Sequence, residues 1–156
     1  MGFTGPGLYE IVPFQAPDLS ASAWEGKMEP GALVRTYARD RSNPSTNTLW
    51  RITLVSGPGD SAEEYLILND RTGYPLTATA DSAVTSTPQI SPSDPTTHWT
   101  IKSSPVSGYE VYTINNKVES RGQLNVSGAS SSSGADILAW PITNKDNTKW
   151  YFDRRP

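Results

Sequence analysis

Three Thr-x-Trp elements constrain this chain more than any other feature in it: "TLW" ending at Trp50, "THW" at Trp99 and "TKW" at Trp150, set 49 and 51 residues apart. Ile52, Ile101 or Phe152 follows two residues later, so on an extended strand each Trp and its follower point the same way. A fixed period of this length means one supersecondary unit used several times. Each unit opens on a tyrosine strand, "LYEIV" with Tyr9, "YLILN" with Tyr65 and "YTINN" with Tyr112. A second alternating strand follows, "DLSAS" with Leu19, "PLTAT" with Leu76 and "QLNVS" with Leu124. Third strands "GALVRTY" (Gly31 to Tyr37) and "GADILAW" (Gly134 to Trp140) match in length and place, while the middle unit offers only the shorter "STPQIS" from Ser86. With the Trp element as the fourth strand, this predicts an all-β chain of three four-strand units. Such units close into a barrel capped by hairpins about a pseudo-threefold axis, which leaves no open edge. The three tryptophans then fill one core as symmetry mates rather than bind a ligand.

The rest of the sequence agrees with strands and turns. Thirteen prolines and 12 glycines are spread throughout, and no long segment carries a helical period. A length of 156 residues suits one domain over 1–156, with units near 5–55, 56–104 and 105–156, able to bury about 70% of the surface its unfolded form exposes. The serine run from Gly128 to Asp136 reads as a surface loop.

Composition also excludes functions. With no cysteine there is no disulfide framework, zinc ribbon or thiol nucleophile, and a cytoplasmic location is expected. The opening "MGFTGPGLYE" has no basic head before an apolar run, and no apolar stretch reaches bilayer-spanning length, so membrane insertion is not expected. A net charge of −3 gives no electrostatic reason to bind nucleic acid. His98 is the single histidine, expected at the surface because its counterparts are Leu49 and Lys149; any Ser-His chemistry would have to use it. "NDRTG" and "PGDSAEE" lack calcium-loop spacing, and no motif singles out a pair of facing carboxylates. A non-catalytic protein without metal or cofactor is expected.

Three units closing on a Gln-x-Trp-like element resemble the β-trefoil lectins of the ricin B-chain type. The strings "YEIVPFQAP", "AWEGK", "STPQISPSDP", "YTINNKV", "GQL" and "KWYFD" resemble more closely the Sclerotinia sclerotiorum agglutinin group of fungal lectins. One departure is that Thr48, Thr97 and Thr148 stand where the wider family has Gln. The resemblance implies a β-trefoil that binds terminal galactose or N-acetylgalactosamine, works as a homodimer, and serves in defence or storage.

A sugar of this type stacks its C–H face on an aromatic ring and exchanges hydrogen bonds with amide or carboxylate groups. Carried onto this sequence, the resemblance gives a primary site in the first unit: Ser22 as the polar residue, Arg35 and Tyr37 on the third strand, Asn47 before "TLW", and Glu25 and Gly26 from the turn "WEGK". It gives a secondary site in the third unit: Asn125, Gly128, Trp140 and Asn147. Gly31 and Gly134 each fall nine residues after the polar residue. The middle unit fails, because Thr77 is its polar position and its ring position falls near Ser91. Plainer roles exist for each: Tyr37 and Trp140 as half-buried barrel-end rings, Asn47 and Asn147 as turn caps, Arg35 as a solvated strand residue. Asn125-Val-Ser127 also reads as a glycosylation acceptor. The rival function is a protease inhibitor acting through "ARDRSNPSTN" (Ala38 to Asn47) or "SPVSG" (Ser104 to Gly108), which needs no aromatic platform.

Overall fold

Alternating apolar and polar residues, cut by turns, produce twelve strands in the computed structural model, which describes residues 2–55, 63–88 and 91–156. The first repeat holds β1 (Gly7–Pro13), β2 (Leu19–Ala23), β3 (Ala32–Ala38) and β4 (Leu49–Leu54). The second holds β5 (Tyr65–Asn69), β6 (Leu76–Ala78), β7 (Val84–Ser86) and β8 (Trp99–Ser103). The third holds β9 (Tyr112–Asn116), β10 (Gln123–Val126), β11 (Ile137–Trp140) and β12 (Trp150–Arg155). Among the described residues the only helices are one-turn 3-10 segments.

Six strands form a closed antiparallel ring in the order β1, β4, β5, β8, β9, β12 and back to β1. The hairpins β2–β3, β6–β7 and β10–β11 cover one end. They meet through Leu33↔Thr85, Arg35↔Asp136 and Ala83↔Leu138, one contact between each pair of hairpins. This is a β-trefoil, as the repeats predict.

Trp50, Trp99 and Trp150 are fully buried and close the core from three sides. Burying an indole of this size contributes about 4–6 kcal/mol as an upper estimate. Each indole nitrogen donates to a carbonyl of its own repeat: Ala21 at 2.9 Å, Leu76 at 2.9 Å and Leu124 at 3.2 Å. These bonds set the alignment of the repeats. Ala21, not Leu19, is the counterpart of Leu76 and Leu124, because β2 begins earlier than the shorter β6 and β10. The Thr that replaces Gln also has a role. Thr48, Thr97 and Thr148 donate their hydroxyls to the carbonyls of Ser45, Asp94 and Lys145 at 2.8, 2.8 and 2.7 Å, tying each one-turn helix that enters the Trp strand.

Two expectations are corrected here. The third strand of the second repeat is Val84–Ser86 rather than "STPQIS", of which Gln89 and Ile90 lie outside the described residues. The reason is a tight turn, closed by the Thr79 amide on the Ala83 carbonyl at 3.0 Å, which brings the return strand forward. His98 is buried rather than superficial: its ring lies 3.2 Å from Glu64 and 3.0 Å from the Pro92 carbonyl. "PGDSAEE" lies largely outside the described residues, and among those described no cluster of metal-ligating side chains occurs.

Two features break the threefold symmetry. At the barrel end opposite the hairpins, Phe3 lies among Tyr9, Tyr65, Tyr112 and Phe152, with ring centroids 5.6, 5.2, 6.2 and 5.1 Å away. Behind β3 a buried ionic cluster joins Glu10, Arg39, Asp153 and Arg155. Burial alone raises the Glu10 pKa, but hydrogen bonds from Arg39, Ser20 and Arg155 outweigh it and hold the carboxyl below its ordinary range.

Candidate functional site

The first-repeat site is built on the hairpin β2–β3 and on the one-turn helix before β4. Ser22 faces Arg35 across the hairpin and Ser20 faces Tyr37, so Tyr37 lies one pleat beyond Arg35 at the open end of β3. Immediately after β2 the chain turns through Trp24–Gly26, with Glu25 at φ 57° and ψ 14°. That left-handed conformation costs a non-glycine residue on the order of 1 kcal/mol. The turn carries the Trp24 ring to 6.2 Å from Tyr37, edge to face.

Ser22, Trp24, Glu25, Tyr37, Ser45 and Asn47 line a pocket of about 350 Å³. Tyr37 is 50% exposed and offers a ring to its mouth. The Asn47 carboxamide makes no hydrogen bond with another described residue. Glu25 is an exposed carboxylate with only a loose pairing to Lys27 at 3.8 Å, an interaction of little energy in water. Ring, amide and carboxylate thus converge with their hydrogen-bonding capacity open, which is what a polyhydroxylated ligand with one apolar face requires.

Of the residues carried over to the first unit, four line this pocket: Ser22, Glu25, Tyr37 and Asn47. Gly26 lies under it, and a Cβ there would come within 2.7 Å of Asn47 Oδ1. Arg35 does not line it. Its guanidinium carbon lies 5.3 Å from the centroid of the Trp24 ring and its Nε 3.2 Å from Asp136, so Trp24 divides it from Tyr37. Trp24 itself was not among the expected site residues. The available signal was arithmetic: of the five tryptophans, three obey the 50-residue period and Trp140 ends β11, leaving Trp24 beside a turn without a core position.

The third repeat brings its four expected residues together. Asn125, Gly128, Trp140 and Asn147 line a pocket of about 190 Å³, with Lys145 at the position where the first repeat has Ser45. Gly128 has φ 61° and ψ 17°, matching Glu25 in conformation without its carboxylate. Trp140 is 49% exposed. Both amides are partly engaged, Asn125 Nδ2 with the Gln123 carbonyl at 3.2 Å and Asn147 Nδ2 with the Val126 carbonyl at 3.4 Å. Asn125 is 3% exposed, so the sequon it heads is closed off within the fold. In the second repeat the pairing Thr77↔Thr85 puts the ring position at Thr87, not near Ser91, and no aromatic side chain stands there. Gly31 and Gly134 start the return arms at φ 83° and 86°, where glycine is the favoured residue.

A trefoil of three Trp-closed repeats with an open aromatic pocket on its cap has the build of a carbohydrate-binding lectin. A family model described as ricin-type β-trefoil lectin domain-like matches residues 46–140. The chain is 57% identical over 155 residues to the agglutinin of Sclerotinia sclerotiorum, covering 99% of this chain and 100% of that protein. Among solved structures, the Rhizoctonia solani agglutinin matches with a TM-score of 0.78 at 16% identity over 98% of each chain. The C-half of an earthworm R-type lectin, solved in complex with GalNAc, matches with a TM-score of 0.66 at 18% identity over 96% of this chain and 100% of that one. The chain belongs to the ricin B-type β-trefoil lectin family.

Proposed function

We propose that this lectin binds terminal galactose or N-acetylgalactosamine without catalysis, through the Tyr37 pocket first and the Trp140 pocket second. The observation that carries the reading is the exposed Tyr37 ring beside an Asn47 carboxamide that no described residue satisfies. The family membership and the GalNAc complex of the earthworm lectin support the choice of sugar. Tyr37 stacks on the C–H face, Asn47 and Glu25 exchange hydrogen bonds with vicinal hydroxyls, and Ser22 forms the polar floor. The third-repeat pocket is smaller and each of its amides turns its nitrogen to a backbone carbonyl, so it is the weaker site.

A shallow site with one ring and a few hydrogen bonds binds a monosaccharide with a Kd of roughly millimolar to tens of micromolar, about −4 to −6 kcal/mol. Avidity then comes from several sites engaged together, within one chain or across a homodimer. A cytoplasmic role in defence or storage completes the reading; the cysteine-free sequence and the closed-off sequon at Asn125 support the location.

Calorimetric titration with N-acetylgalactosamine, run beside Tyr37→Ala and Trp140→Ala, tests it. Saturable binding is expected in the wild type, with most of the heat lost in Tyr37→Ala and a minor part in Trp140→Ala. No heat with N-acetylgalactosamine, galactose or lactose would remove this reading.

A further inference from the structure

A second depression adjoins the Tyr37 pocket, and the two share Trp24 as a wall. Its volume is about 320 Å³, and Trp24, Pro30, Ala32 and Leu33 give it an apolar floor. Leu33 alternates with Arg35 and Tyr37 on the outer face of β3 and is 38% exposed, a place where a polar side chain is the usual choice. The rim is charged, with Lys27, Glu29 and Arg35 around that floor. Lys27 pairs with Glu25, and Arg35 pairs with Asp136 while lying against the Trp24 ring. A hydroxyl-rich occupant needs donors and acceptors aimed at it from the floor, such as Asn47 supplies next door; here the floor offers carbon and the charged groups stand at the rim.

We propose that this depression is an aglycone subsite, which takes an apolar alkyl or aryl group joined directly to the sugar held over Tyr37. The inference rests on the sugar reading of the Tyr37 pocket. Its ligand is one continuous molecule lying across Trp24, with the pyranose on the Tyr37 side and the hydrocarbon on the Leu33 side. Arg35 then acts as a positioning residue, holding the dividing indole in place rather than touching the sugar.

The test is calorimetric titration with the methyl, butyl and phenyl glycosides of N-acetylgalactosamine in both anomeric series. In one series the butyl and phenyl glycosides should bind about ten-fold tighter than the methyl glycoside. Leu33→Asp should erase that gain and leave the methyl glycoside unchanged; Leu33→Asn repeats the comparison should the aspartate disturb pairing with Thr85. Tyr37→Ala should weaken all three. Equal affinities along both series, or a gain that survives both Leu33 variants, would overturn the subsite while leaving the sugar reading intact. A wild type that binds none of the glycosides overturns both.

Discussion

A methyl group on Gly26 would stand 2.7 Å from Asn47 Oδ1, closer than the two atoms tolerate. Its counterpart Ala129 holds φ 53° in the same turn of the third repeat, so the backbone there accepts an alanine. Gly26→Ala should therefore fold with a stability loss within about 1 kcal/mol, because the flexible Asn47 side chain moves aside. It should bind N-acetylgalactosamine at least about ten-fold more weakly, since that carboxamide is then misaimed. Calorimetry beside urea unfolding separates the two effects, and unaltered affinity would remove Asn47 from the site. At this scale much of the pocket is legible in the sequence. The places of Ser22, Tyr37 and Asn47 follow from the resemblance to the ricin B-type lectins, carried onto the matching strands and onto the residue before the Trp element, and that repeat alignment survives folding. Arg35 and Trp24 do not follow, for one reason. Period two places Arg35 and Tyr37 on the same face of β3, but it says nothing about a ring delivered between them from the neighbouring turn.

The element that carries the ring is held from behind. Ser20, opposite Tyr37, donates to Glu10 Oε2 at 2.6 Å, and Arg39, two residues after Tyr37, donates to Glu10 at 3.0 and 3.2 Å and to Asp153 at 2.6 Å. Glu10→Gln leaves Arg39 and Arg155 with only Asp153 as counter-charge, and weakening such a network costs about 1–3 kcal/mol. The pH dependence follows from the depressed carboxyl pKa. Its stabilisation is complete above the ordinary value of 4.5 and is lost as pH falls through the lower folded-state value. Wild type and Glu10→Gln should thus differ in urea midpoint at pH 7 and converge as the solution is acidified below pH 4.5; a constant gap would assign the loss to shape rather than charge. None of this cluster is readable from the sequence, because no period links positions 10, 39, 153 and 155. The strands are readable wherever alternation runs for four residues or more. β7, three residues long after a tight turn, gives too short an alternation to be read as a strand.

Over the whole molecule, the pseudo-threefold frame is written in the spacing of three tryptophans, whereas its closure at the far end depends on a single ring from outside the repeats. Phe3 meets all three repeat tyrosines, so Phe3→Ala opens a cavity on the axis and should cost about 3 kcal/mol. Sugar affinity should not change, since the pockets lie on the hairpin cap at the other end. A lowered Tm with an unaltered titration is the expected pair of results. The pairing of β1 with β12, from Leu8↔Arg155 to Pro13↔Trp150, has a further consequence in time. During synthesis β1 can find β4 early, but its other edge has no partner until β12 emerges about 100 residues later, roughly 5–20 s at ordinary elongation rates. Through that interval the nascent chain presents an unpaired strand edge beside half-built core, the condition under which chains pair with one another instead of with themselves. Closure therefore belongs to the six ring strands together and to no partial set, so until β12 is made the chain depends on whatever shields the free edge of β1.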